Sequence, residues 1–106
     1  MNSRNKGKSG ELELAEWLRD QGVEACRGWM NGKDITHALP GIHIECKRQE
    51  TMRAYEWLAQ ADRDAKIAEI PVVAHRQNRK NWIAILDLGD FIFLLGKAGL
   101  WAGPSS

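Results

Sequence analysis

The chain has 106 residues, 43% of them hydrophobic and 27% charged, ordinary globular usage that supports one core and excludes a disordered chain or a second domain. Its 15 Lys+Arg against 14 Asp+Glu leave a formal charge of +1, which taken alone argues against bulk electrostatic binding of nucleic acid and against a polybasic membrane anchor. No apolar run approaches the roughly 18 residues that cross a bilayer, and the N-terminus is polar and basic without an apolar signal core, so a cytoplasmic protein with no membrane attachment is expected.

Residues 1–8 read as a basic N-terminal arm carrying Arg4, Lys6 and Lys8. Ser9 is placed to cap a helix from Gly10 to Gln21, with Gly22 as its stop. Leu14, Ala15 and Leu18 share the inward stripe of that helix; Glu11 falls on the same stripe, whereas Glu13 and Glu16 point away. Val23 to Trp29 is a short strand, followed by the turn Met30-Asn31-Gly32. Ile35 to Leu39 and Ile42 to Lys47 are expected to pair as a hairpin across Pro40-Gly41, with Asp34 at its far end. The second of these alternates cleanly, with Ile42, Ile44 and Cys46 on one face and His43, Glu45 and Lys47 on the other. A helix from Thr51 to Ala68 follows, with Ala54, Leu58, Ala61, Ala65 and Ala68 on one stripe. Pro71 to Arg76 and Trp82 to Asp87 read as two more strands. Asp90 then caps a short helix from Phe91 to Leu95, and residues 97–106 form a flexible Gly-rich tail. Each helix has one apolar stripe to bury, so the order predicts a single α/β domain, a mixed central sheet flanked by helices.

Cys26 and Cys46 lack CxxC spacing and read as buried free thiols, and the three histidines lack zinc-site spacing. Of the tryptophans, Trp17, Trp57 and Trp82 read as packing residues and Trp101 as an interface residue, while Trp29, beside the turn into Asp34, is placed to stack on a base.

Charge becomes informative when mapped by segment. Glu11, Glu13, Glu16, Asp20 and Glu24 lie in or just after the first helical segment, and Glu50, Glu56, Asp62, Asp64 and Glu69 in or beside the second. Two clusters have no acid nearby: Arg4, Lys6 and Lys8, and Arg76, Arg79 and Lys80, with His75 beside the latter. A neutral total can thus conceal two basic surfaces suited to phosphate.

The chemistry centres on Asp34 and the strand pair Glu45 and Lys47. The strand period sets the carboxylate and the ammonium about 7 Å apart on one face, within reach of an Asp from a neighbouring strand. Two carboxylates at such a point can hold Mg²⁺, a hard cation that prefers oxygen. The lysine can orient a water or stabilise charge on a phosphate, which is the equipment of metal-assisted phosphodiester hydrolysis. Alone, ExK on a strand more often marks a solvated ion pair; its combination with Glu11, Asp34 and the basic segments changes the reading.

That combination resembles the PD-(D/E)XK nuclease superfamily and, within it, the small archaeal-type and phage-type Holliday junction resolvases. The resemblance runs from about Arg4 to Leu95. It is carried by Lys6-Gly7, Glu11, Gly22, Arg27, Asn31-Gly32-Lys33-Asp34, Pro40-Gly41-Ile42-His43-Ile44-Glu45-Cys46-Lys47-Arg48, Gln60 and Pro71-Val72-Val73-Ala74-His75-Arg76. Two departures stand out: Lys33 where a proline usually precedes the Asp, and Cys46 where Val or Ile is common.

The resemblance implies a restriction-endonuclease-like αβββαβ core and a Mg²⁺-dependent DNA endonuclease, with Mn²⁺ able to substitute. It makes Asp34 and Glu45 metal ligands, Glu11 an additional acid at the metal, Lys47 the catalytic lysine and Gln60 an auxiliary residue. His43, which shares the strand face of Glu45 and Lys47, is a further auxiliary candidate for phosphate contact, the alternative being a strand-end histidine that simply hydrogen-bonds. DNA contact is expected from Arg4, Lys6, Lys8, Arg27, Lys33, Arg48, His75, Arg76, Arg79 and Lys80. The implied substrate is branched or distorted DNA and the implied assembly a homodimer, for which Phe91 to Leu95 and Leu100-Trp101 offer apolar contact. A nicking or repair-type nuclease on the same core is the alternative, and a non-catalytic nucleic-acid-binding module a further one.

Overall fold

The computed structural model describes residues 3–28 and 35–102, with side chains from residue 9 onward. The element order is α1 (Ser3–Asp20), β1 (Ala25–Arg27), β2 (Ile35–His37), β3 (Ile42–Arg48), α2 (Ala54–Asp64), β4 (Ile70–Arg76), β5 (Ile83–Ile85) and α3 (Leu88–Lys97). This is an α/β fold. Strands β3 and β4 run parallel, Ile42 opposite Ile70 through Arg48 opposite Arg76, and β5 adds to β4 antiparallel. Parallel neighbours need a long crossover, and α2 supplies it.

The period-2 alternation of β3 divides the molecule into two layers, as expected. On one side, Leu14, Ala15 and Leu18 of α1 pack with Ile35 and Ile44, flanked by Ile42, Cys46, Ala74 and Trp82. On the other, Trp57 and Ala61 of α2 cover Val73. The helices therefore lie on opposite faces of the sheet, and His43, Glu45 and Lys47 face α2.

Several boundaries and one pairing differ from the expectations. Helix α1 begins at Ser3, so residues 3–8 are its first turns rather than an arm, and Ser9 lies inside it. Nothing between Ser3 and Gly10 breaks a helix outright: Arg and Lys are good formers, and Gly costs only about 1 kcal/mol. Its end is as expected: Gly22 takes φ +92°, and Gly22 N–H and Val23 N–H donate to the carbonyls of Arg19 and Leu18 at 2.9 Å each, a Schellman closure. Strand β2 pairs with β1, not β3, with Cys26 opposite Thr36. The expected hairpin fails because Leu39 N–H donates to His37 Nδ1 at 3.0 Å, Ala38 N–H to Glu24 O at 2.9 Å and Ile70 N–H to Gly41 O at 2.8 Å, turning the chain toward β1 and β4.

Helix α2 is shorter than its alanine stripe, since Ala65 is extended and closes it; its buried stripe is Trp57 and Ala61. Asp87, not Asp90, caps α3, its carboxylate accepting from Asp90 N–H at 3.1 Å. Lys97 belongs to α3, and Trp101 Nε1 donates back to Ile92 O at 3.1 Å, so the expected flexible tail begins inside ordered structure. None of α3's residues is buried: Leu88, Phe91, Ile92 and Phe93 are exposed. Trp17 and Cys26 are exposed, and Cys46 is half-buried, against the expected burial. Among the described residues no helix is long and apolar enough to cross a membrane.

Gly10 is buried where α1 crosses β3, and a Cβ there would lie 2.5 Å from Arg48 Cβ. Alanine favours a helix over glycine by about 1 kcal/mol, whereas overpacking costs about 1–3 kcal/mol. Gly10→Ala should therefore lower the urea midpoint despite the better helix propensity; a raised midpoint would show that α1 does not need this close approach.

Candidate functional site

The polar face of β3 is organised by one amide. Gln60, a turn after Trp57 on α2, donates from Nε2 to Glu45 Oε1 at 3.0 Å and accepts from Lys47 Nζ on its Oε1 at 2.9 Å. Only one orientation of the amide serves both, oxygen to ammonium and nitrogen to carboxylate. Lys47 Nζ is thereby held 4.0 Å from Glu45 Oε1. Glu45 is 4% exposed, and a carboxylate so buried is tolerated only when paired and hydrogen-bonded.

The other oxygen of the same carboxylate faces a histidine. His43 Nε2 lies 3.5 Å from Glu45 Oε2. That nitrogen is buried and has no hydrogen-bond partner, a state that native structures rarely leave unexplained. Asp64, one turn beyond Gln60, approaches the pair, so that a ligand atom of each of His43, Glu45 and Asp64 lies within 4.8 Å of the others. Buried carboxylate, buried imidazole and exposed carboxylate together make a donor set that fits a divalent cation.

Of the expected site residues, the structure brings together Glu45, Lys47, Gln60 and His43. Glu11 is half-buried on the inward side of α1, as expected, and Arg27 Nε donates to its Oε2 at 2.8 Å; it is not in the group formed by His43, Glu45 and Asp64. Asp34, Lys33 and Trp29 lie outside the described residues, as do the side chains of Arg4, Lys6 and Lys8.

The expected DNA-contacting set divides. Glu13, expected to point away, accepts from Arg48 Nε at 3.2 Å and from Arg76 Nη1. Arg48 Nη2 also donates to Asn78 Oδ1 at 2.9 Å. Both arginines thus fasten α1 to the ends of β3 and β4 instead of standing free for phosphate. His75 is buried, bonded through Nε2 to Gln49 O at 2.8 Å and tilted against Trp57, so it forms no exposed edge. Arg79 and Lys80 remain exposed.

Asp64 and Glu13 are the residues that sequence reasoning missed. Asp64 was within reach of it, because it lies four positions after Gln60 and so on the same helical face. Glu13 carried no such signal, since its partners come from strand ends more than 30 positions away. Replacing Gln60 by leucine leaves a buried carboxylate and an ammonium without their bridge. Stability should fall by about 1–3 kcal/mol in chemical denaturation; no loss would mean that the bridge does not hold the pair. Comparison with protein-family models, curated proteins and solved structures gives no match to this chain.

Proposed function

We propose that the chain is a divalent-metal-dependent DNA endonuclease of restriction-endonuclease-like αβββαβ architecture, acting in the cytoplasm on branched DNA. The observation that carries the reading is a buried Glu45 with Lys47 fixed beside it by Gln60 on one strand face, next to further cation-ligating groups. A structural ion pair has no need of so deep a carboxylate, because surface pairs form without the desolvation cost. The helix order on the two faces of a mixed sheet is compatible with that core.

In this reading Glu45 and Asp34 hold the cation, Mg²⁺ or Mn²⁺, with Glu11 as the further acid from α1. When bound, the cation polarises a phosphoryl oxygen and lowers the pKa of a coordinated water. Lys47 contributes its positive charge at Nζ, where a phosphate or an attacking water would be oriented. Gln60 keeps that ammonium from collapsing onto the carboxylate. Arg79 and Lys80 contact the DNA backbone, with Arg4, Lys6 and Lys8 from the first turns of α1, and the binding depends on salt accordingly.

The same reading includes a homodimer, since two coordinated cuts need two active sites. Leu88, Phe91, Ile92 and Phe93 of α3 and Leu100 beyond it are exposed and apolar, an arrangement that a self-complementary contact would cover. Sedimentation velocity should give a dimer for the wild type and a monomer for Phe93→Asp; a wild-type monomer at tens of micromolar, of order 10⁻⁵ M on the affinity scale, rejects the dimer.

Cleavage of matched four-way junction, flap, nicked and linear DNA, with and without Mg²⁺ or Mn²⁺, tests the activity. Junction DNA should be cut only with metal, and Glu45→Ala and Lys47→Ala should each cut about 100-fold more slowly or worse. Equal cutting of linear DNA selects the nicking or repair-type alternative. Absence of cutting by the wild type, or undiminished cutting by the variants, rejects the nuclease.

A further inference from the structure

Glu45 presents its two oxygens to two different sets of groups. Oε1 serves Gln60 and sits 4.0 Å from Lys47 Nζ. Oε2 looks along the strand to His43 Nε2 at 3.5 Å, and Asp64 of α2 joins the pair, a ligand atom of each of the three lying within 4.8 Å of the others. We propose that His43 Nε2, Glu45 and Asp64 form a mixed nitrogen and oxygen cation site, which takes a first-row transition ion such as Mn²⁺ or Co²⁺ in preference to Mg²⁺.

Three observations carry the site. His43 is only 2% exposed, and its Nε2 has no hydrogen-bond partner; leaving a buried nitrogen unsatisfied is costly, a cost that a coordinate bond removes. Spacing is the second. Ligand atoms around one ion at about 2.1 Å stand roughly 3.0–3.5 Å apart, and the three here lie within 4.8 Å of one another, so a small inward adjustment suffices. Access is the third: Asp64 is exposed at the end of α2 while the other two are buried. One solvent-exposed carboxylate can therefore admit the ion and leave coordination positions for water.

The donor set decides the metal. Mg²⁺ demands oxygen ligands at close to octahedral geometry and gives up water reluctantly. Imidazole nitrogen suits later divalent ions, and affinity for such a site rises from Mn²⁺ towards Cu²⁺. A single buried imidazole among two carboxylates thus biases the site away from Mg²⁺ without excluding hard ions altogether. The competing account is an ion pair between a protonated His43 and Glu45, which gives Asp64 no part. The inference rests on the proposed nuclease only for what the ion does in cleavage; the binding site stands on its own geometry.

Mn²⁺ alone, added to the full chain, is the probe. Its electron spin echo should show nitrogen modulation from a directly bound imidazole, and that modulation should vanish in His43→Gln. Titration should give Mn²⁺ and Co²⁺ at least about tenfold tighter binding than Mg²⁺, and Asp64→Asn should weaken Mn²⁺ by at least about tenfold with circular dichroism unchanged. Because Asp64 is exposed, Asp64→Asn and the wild-type modulation answer the question even if His43→Gln does not fold. Bound Mn²⁺ without nitrogen modulation, Mn²⁺ no tighter than Mg²⁺, or an Asp64→Asn variant that binds Mn²⁺ like the wild type overturns the site. Mg²⁺-supported cleavage alongside any of those results overturns the site and spares the nuclease. Nitrogen modulation with no cleavage of any DNA supports the site and rejects the nuclease.

Discussion

The parallel pairing of β3 with β4 is the constraint on which the rest of the molecule depends. Two parallel strands cannot be joined by a turn, so the chain between them must travel the length of the sheet, and α2 does so across one face. That placement lays Trp57 and Ala61 on Val73. It also sets Gln60 over Glu45 and Lys47, and Asp64 beside His43 and Glu45. Core and site are thus consequences of the same crossover. An antiparallel hairpin at this position would have left the charged face of β3 without a helix to organise it.

The two faces of the sheet handle charge differently. Toward α2, charge is buried: Glu45 is almost fully enclosed and relies on an amide and a neighbouring ammonium. Toward α1, charge sits at the rim, where Glu13 gathers Arg48 and Arg76 from the ends of adjacent parallel strands. These two arginines stand opposite each other in the β3–β4 register, so one carboxylate from the helix reaches both. Gly10, one turn earlier on α1, allows the approach by offering no side chain against Arg48. Partial exposure lets this network act as a clamp without the full desolvation cost of a buried pair.

The near-neutral total charge takes on another meaning in this setting. Glu13 and Glu11 neutralise arginines within the fold, and Glu45 is held by Gln60 with the Lys47 ammonium 4.0 Å away. Among the described residues, Arg79 and Lys80 are not absorbed in this way and are exposed. A sum of +1 therefore combines internal pairs with outward charge, and says little about the field that a ligand meets.

Sequence alone determined the order of helices and strands, the alternation of β3 that puts His43, Glu45 and Lys47 on one face, and the Gly22 closure of α1. Each of these rests on local spacing: a period of two in a strand, 3.6 in a helix, or a glycine free to take positive φ. Tertiary structure decided the rest. Strand partners could not be read off, because pairing is a contest among distant segments: β2 joined β1 where a neighbouring hairpin with β3 was expected. The fates of Arg48, Arg76 and His75 were hidden for the same reason, since Glu13, Trp57 and Gln49 reach them only once the sheet is assembled. Helix α1 started earlier than its cap signal because glycine at position 10 serves the crossing over β3 rather than the helix boundary. Local periodicity names which residues share a face; only the folded sheet decides what that face will meet.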